Sequence, residues 1–307
     1  MPPSATATDA ARDDLTSRIL PQMEFSDGTG LSSPPLPLSN SIPSQERAQK
    51  RFAVNGNAII TGGAGTLGLA AGRALLEHGL SNLMLFDMNP AQSQPQINAL
   101  QSAFPGSKIL TKKLDITDAD AVSLAVEETA EAFGTIDVLL CFAGVVGCVH
   151  AIDMTPLQFR RTLDINTTGT FLCAQAVAKH HISQSSISNT LSITFIASIS
   201  GHRVNFPQPQ VAYNVSKAAL LTLKNCLAAE WARYGIRVNS ISPGYMDTIL
   251  NEGEGIKEGR RVWAERNPMG RMGEKSELTG AVVLLASSAS TYMNGTDIVV
   301  DGGQIVL

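Results

Sequence analysis

From Asn57 to the C terminus, short β-branched or aliphatic runs alternate with longer stretches of helical period, and this alternation limits the folds open to the chain more than any other feature. With a helix between successive strands, the chain has the crossover connection that parallel pairing needs. It returns in parallel, with helices covering both faces of one sheet. Seven strands are expected, at 57–61, 83–86, 108–113, 136–142, 191–197, 237–241 and 298–300, with helices at 67–78, 119–133, 156–181, 212–234 and 276–287. Within 119–133, Val122, Ala125, Val126, Thr129 and Phe133 fall on one face at i, i+3, i+4 spacing. The reading is an α/β single domain over 52–307: a doubly wound, seven-stranded parallel sheet with no break for a second domain. The last crossover, 246–271, is long, charged and glycine-rich, and is expected to be a mobile lid.

Residues 1–51 differ. Seven of the 15 prolines and a run of serines fall there without apolar periodicity, so this stretch cannot bury enough surface to offset its ordering entropy. It is expected to be a disordered or extended N-terminal arm, with one short helix candidate at 10–20. Asp9, Asp13, Asp14 and Glu24 argue against a transit peptide. For the whole 307 residues, 44% hydrophobic content supports a large core, and 23 Lys+Arg against 27 Asp+Glu leaves no basic stripe for nucleic acid. No apolar run is long enough to cross a bilayer. The four cysteines form no CxxC pair and the five histidines no zinc-like spacing, so no metal is expected, and reduced thiols in a cytoplasmic protein are.

The first strand ends in Thr61-Gly62-Gly63-Ala64-Gly65-Thr66-Leu67-Gly68 and opens into a helix. Glycines there permit a tight turn and the close approach of a pyrophosphate, whose charge is met by helix N-terminal N–H groups. Asp87 ends the second strand about twenty residues on, where a carboxylate accepts hydrogen bonds from an adenosine ribose. No Lys or Arg stands in the turn or in Met88 and Asn89 to meet a 2′-phosphate. NAD(H) is therefore expected over NADP(H). Tyr213 and Lys217 lie one helical turn apart on one face. A nearby ammonium favours phenolate, so the tyrosine pKa is expected to fall from about 10 towards the working pH, making Tyr213 a general acid/base. Ser198 and Ser200 follow the fifth strand, at the sheet edge where α/β folds place their sites.

On these residues the sequence resembles the short-chain dehydrogenase/reductase family, with its Rossmann-type fold. The correspondence runs from about Phe52 to Leu307: Thr61-Gly62 with Gly68, Asp115-Ile116, Asn166, Tyr213 with Lys217, Pro243-Gly244 with Thr248, and Val300-Asp301-Gly302-Gly303. The family's catalytic serine stands three residues before a glycine, which selects Ser198 ahead of Gly201. Two departures stand out: Thr66 replaces the second turn glycine, and Cys141-Phe142-Ala143-Gly144 keeps only the last two residues of the family's Asn-Ala-Gly.

The resemblance implies a cofactor site formed by Gly62, Thr66, Leu67, Gly68, Asp87, Asp115, Ile116, Ala143, Gly144, Tyr213, Lys217, Pro243, Gly244 and Thr248. It implies that Ser198 holds the substrate oxygen, that Lys217 binds the nicotinamide ribose, and that Asn166 holds a water relaying the Tyr213 proton. A homotetramer is implied as well, with helices 156–181 and 212–234 meeting their symmetry copies. Pro207-Gln208-Pro209-Gln210, Ser242-Pro243-Gly244-Tyr245 and the run 267–272 look like fungal D-arabinitol 2-dehydrogenases and related ketose reductases. Asn205, Gln208, Gln210, His202 and Arg203 would then bond the hydroxyls of a polyol or 2-ketose. A reductase of a 3-oxoacyl thioester or secondary-metabolite ketone, and a non-catalytic NAD(H) sensor, are the competing readings.

Overall fold

The computed structural model describes residues 17–184, 189–248, 251 and 253–307. Seven parallel strands form one sheet: β1 (Asn57–Thr61), β2 (Asn82–Asp87), β3 (Lys108–Lys113), β4 (Val138–Cys141), β5 (Leu191–Ile196), β6 (Ile236–Pro243) and β7 (Asp297–Val300), in the spatial order β3-β2-β1-β4-β5-β6-β7. The helices are α1 (Ser44–Arg51), α2 (Thr66–Glu77), α3 (Gln94–Ala103), α4 (Ala119–Phe133), α5 (Pro156–Leu163), α6 (Thr170–Ser183), α7 (Val211–Trp231), α8 (Lys257–Glu265) and α9 (Thr279–Ala286). The chain starts at β1 in mid-sheet, winds outward to β3, then returns to β4 on the other side of β1. That reversal opens a crevice beyond the carboxyl ends of β1 and β4, where open α/β sheets bind ligands.

Successive strand residues point to opposite faces, which divides the core in two. Ile59, Leu139, Ile193 and Phe195 pack with Val126 of α4, Val177 of α6 and Leu220 and Leu227 of α7. Ile60, Leu140 and Ile241 pack on the other face with Leu75 of α2 and Val282 of α9. Both faces being covered explains why β1 is buried at all five positions and reads as a continuous apolar run rather than an alternating one.

The helix expected over 156–181 runs without a break, but one stretch of it is not α-helical. After α5 the backbone widens into a π-helix at Asp164–Gly169 before α6 begins, and Asn166 is fully buried in that wider turn. Two helices bury little: α3 only Ile97 and Leu100, and α8 only Trp263. Part of the 246–271 crossover is thus helical.

The helix candidate at 10–20 lies largely outside the described residues. Residues 17–51 run over the surface of the domain. Leu31 occupies the space a side chain at Gly235 would need, Ser32 Oγ donates to Ala232 O at 3.2 Å, and Glu24 pairs with Arg233. No residue of α1 is buried.

Candidate active site

The turn after β1 is built by steric exclusion. Gly62 has φ +64°, and a Cβ there would stand 2.7 Å from Ala143 N; one on Gly68 would stand 2.5 Å from Gly62 O. Only glycine lets β1, the β4 loop and the start of α2 approach this closely. The first N–H groups of α2, which have no partner inside the helix, face the cleft at Thr66, Leu67 and Gly68. Where the family has asparagine, Phe142 stands instead, and Thr61 does the bracing: its O accepts Phe142 N–H at 2.9 Å and its Oγ1 accepts Ala143 N–H at 3.3 Å.

The carboxyl ends of five strands converge on a cleft of about 580 Å³. Gly62, Thr66, Leu67 and Gly68 line it after β1, Asp87 after β2, and Ala143 and Gly144 after β4. Ser198 lines it after β5, Pro243, Gly244 and Thr248 after β6, and Tyr213 and Lys217 reach in from the first turns of α7. This cradle, built on glycines at the α2 terminus and continuous to Tyr213, fits a nicotinamide dinucleotide.

Three expected site residues are not in the cleft wall. Asp115 Oδ1 accepts the Thr117 N–H at 2.9 Å and its hydroxyl at 2.7 Å, and Ile116 packs against Gly169; this pair builds the turn into α4. Asn166 lies one layer behind. Its Nδ2 donates to Val145 O and Ser216 Oγ, both at 2.9 Å, and its Oδ1 accepts Val145 N–H at 2.8 Å. Both N–H groups of the side-chain amide and one lone pair of its oxygen are therefore used in holding the β4 loop and Ser216. Among the described residues no cluster of three or more His, Cys, Asp or Glu could hold a metal.

Ser198 is buried; its Oγ donates to Ser200 Oγ at 3.0 Å and accepts Ser200 N–H at 3.1 Å. Lys217 Nζ stands 5.6 Å from the Tyr213 ring centroid and donates to Ile196 O at 2.6 Å. Burial pushes the Lys217 pKa down to about 8. The expected fall of the Tyr213 pKa does not occur: burial raises it, and the hydrogen bond with Ser198 offsets only part of that rise. The ammonium lies over the ring rather than against the hydroxyl, so it does little for phenolate.

At the substrate end, Asn205, Gln208 and Gln210 line the cleft as expected. His202 and Arg203 do not. His202 Nε2 bonds Ser242 Oγ at 3.0 Å and Asp297 Oδ2 at 3.1 Å, while Arg203 donates to the carbonyls of Gln304 and Leu307. Both tie their loop to the sheet and the C-terminal segment. The aromatic part of the wall was not foreseen: Tyr245 and Trp263 stack at 4.3 Å with planes 5° apart. Tyr245 Oη accepts from Asn205 Nδ2 at 2.7 Å and from Gln208 Nε2 at 3.0 Å. One signal was available, since Trp263 is one of only two tryptophans and stands alone in a charged, glycine-rich stretch.

A family model described as enoyl-(acyl carrier protein) reductase matches residues 62–304. The chain belongs to the short-chain dehydrogenase/reductase family. It is 33% identical to an NADP-dependent mannitol dehydrogenase of Alternaria alternata over 87% of this chain and 98% of the relative. It is 36% identical to a ribulose-forming D-arabinitol 2-dehydrogenase of Candida tropicalis over 86% and 98%. A solved short-chain dehydrogenase/reductase of Mycobacterium marinum superposes with TM-score 0.78 at 36% identity, over 83% of this chain and 98% of that one.

These relatives overturn the expectation of NAD(H). The Alternaria protein and two further fungal relatives at 35% identity are named NADP-dependent. The expectation looked for cations only beside the turn, and the geometry shows why that was too narrow. Asp87 already accepts two backbone N–H groups, Ala64 N at 3.1 Å on Oδ2 and Asn89 N at 3.0 Å on Oδ1. Beyond it opens a second cleft of about 730 Å³, into which α2 and the segment before α9 bring Arg73 and Lys275 from distant positions in sequence.

Proposed function

We propose that this chain is an NADP(H)-dependent dehydrogenase that interconverts an open-chain polyol and its 2-ketose. The observation that carries the reading is the convergence of Ser198, Tyr213 and Lys217 at one end of the dinucleotide cleft, beside a wall of Asn205, Gln208, Gln210 and Tyr245. A wall of hydrogen-bonding groups rewards ligands with several hydroxyls and penalises those without.

The N–H groups at Thr66, Leu67 and Gly68 would hold the pyrophosphate, Lys217 the nicotinamide ribose, and the cleft beside Asn89, Ser93, Arg73 and Lys275 the 2′-phosphate. The nicotinamide, when bound, exchanges hydride with the substrate carbinol carbon. Tyr213 takes the hydroxyl proton in oxidation and returns it in reduction. Ser198 holds the reacting oxygen. Asn166 acts at one remove, by fixing Val145 in the cleft wall. Residues 1–51 serve as an arm outside the catalytic domain 52–307, and the protein works as a cytoplasmic homotetramer; its four cysteines, none in a disulfide, fit a reducing compartment.

Initial rates with D-mannitol, D-arabinitol, D-sorbitol, xylitol and the matching ketoses, each with NADP(H), measured beside an acetoacetyl thioester, test the substrate class. Turnover of the polyols with NADP+ is the expected result. Reduction of the thioester without polyol turnover would overturn it.

A further inference from the structure

The wall at the substrate end contains a hydrogen-bond chain with a direction. An indole is a donor only, and Trp263 Nε1 donates to Gln208 Oε1 at 3.0 Å. Gln208 must then present its Nε2, which donates to Tyr245 Oη at 3.0 Å and to Gln210 Oε1 at 3.1 Å. With its oxygen accepting, Gln210 turns its own Nε2 to Ser200 Oγ at 3.3 Å. Ser200 Oγ also accepts from Ser198 Oγ at 3.0 Å. Turning over either amide alone would set two oxygens or two NH2 groups face to face. Trp263, Gln210, Ser200 and Ser198 are all buried, so water cannot repair such a mismatch cheaply.

We propose that Trp263, Gln208 and Gln210 are positioning residues whose donor-to-acceptor order, begun by the Trp263 indole, sets through Ser200 the direction of the Ser198 hydroxyl. This rests on the reading that Ser198 holds the reacting oxygen. In the free site the Ser198 proton is directed at Ser200. When a substrate oxygen enters, Ser198 turns that proton to it. Ser200 is not left an unpaired buried acceptor, because Gln210 still donates to it. With the order reversed, Gln210 would offer an oxygen, Ser200 would spend its own proton there, and its lone pairs would keep hold of the Ser198 proton. Helix α8, remote in sequence from the catalytic serine, thereby reaches it through four side chains.

Trp263→Phe keeps a six-membered ring against Tyr245 and removes the N–H with the rest of the indole's five-membered ring; Gln210→Glu replaces the donor facing Ser200 by an acceptor. Each is compared with the wild type for kcat and KM on the best polyol and on a small diketone that has no hydroxyls, and for NADPH affinity. The expected result is a fall in kcat of about tenfold on both substrates, the loss of roughly one oriented hydrogen bond. NADPH affinity should be unchanged.

Unchanged kcat on both substrates would overturn the proposal. So would an effect confined to the polyol KM, which would make these side chains simple hydroxyl partners. A wild type active on the diketone and inactive on every polyol would sink the polyol reading and still leave the kcat comparison decisive here. Should Trp263→Phe fail to fold, Gln210→Glu gives the same readouts.

Discussion

Tyr213 and Lys217 are assigned by spacing, yet their ionisation is set by surroundings that no spacing reveals. Both are taken out of water, and burial favours the neutral form of each, so the phenol rises while the ammonium falls to about 8. In the cofactor-free protein Lys217 is charged below about pH 8 and neutral above it. Ribose hydroxyls that accept from Lys217 would favour its charged form, so the cofactor would bind the protonated enzyme more tightly. Linkage then requires NADPH affinity to weaken as pH rises through about 8. Fluorescence titration from pH 6.5 to 9.5 should show that slope, and Lys217→Met should abolish it. The same depressed pKa makes stability rise between about 8 and 10.5, because there the unfolded chain binds a proton that the folded chain does not. Tyr213→Phe removes the proton carrier alone. Turnover should fall by about 10²-fold or more, while NADPH binding measured by the same titration stays near the wild-type value; substantial residual turnover would contradict the role.

Between elements, close approaches decide the site. Gly201 lies where the loop after β5 meets α7, and a Cβ on it would stand 2.9 Å from the Lys217 carbonyl carbon and oxygen. Gly201→Ala should push the loop off α7 and separate Ser198 from Tyr213, lowering kcat well before it lowers cofactor affinity. The π-helix between α5 and α6 does comparable work by carrying Asn166 to Val145 and Ser216. Asn166→Ala leaves a hole at a fully buried position and takes a partner from the Val145 N–H and carbonyl and from the buried Ser216 Oγ. The cost should be on the order of 2–3 kcal/mol, seen as a lower Tm, together with a higher KM for the substrate. At this scale the sequence is uneven evidence. The bounds expected for β1, β3 and α4 coincide with the structure; an unbroken buried run fills β1 and a regular buried stripe fills α4. The π-turn was invisible, since a helix pattern of 156–181 reads the same whether or not one turn is widened. α8 was missed because a single buried residue, Trp263, gives no period.

On the scale of the molecule, the arm and the assembly are the open quantities. Residues 17–51 touch the domain through Leu31, Ser32 and Glu24 near residues 232–235, and through the carbonyls of Lys50 and Arg51, which accept from Ser288 Oγ. All of these lie away from the cleft. Deleting residues 1–51 should lower Tm by a few degrees and leave kcat unaltered; a large loss of kcat would place the arm in the site. In the single chain Leu157 of α5 and Val215 of α7 are 76% and 42% exposed. Light scattering should return the mass of four chains, and Leu157→Asp should lower that mass if α5 lies in a subunit interface.

The choice of Ser198 over Ser200 came from the family resemblance; sequence alone determined the parallel sheet, the glycine turn and the placing of Tyr213 and Lys217 one helical turn apart. Each depends on local quantities: the alternation of periods, the absence of a Cβ, a spacing of one helical turn. Tertiary structure decided which polar side chains face the cleft, because that depends on partners distant in sequence. His202 is drawn to Asp297 and Arg203 to the C-terminal carbonyls, Asp115 is spent on its own turn, and Arg73 and Lys275 come to the cleft beside Asp87 from separate elements. Trp263 is joined to Ser198 only because Gln208, Gln210 and Ser200 lie between them in space.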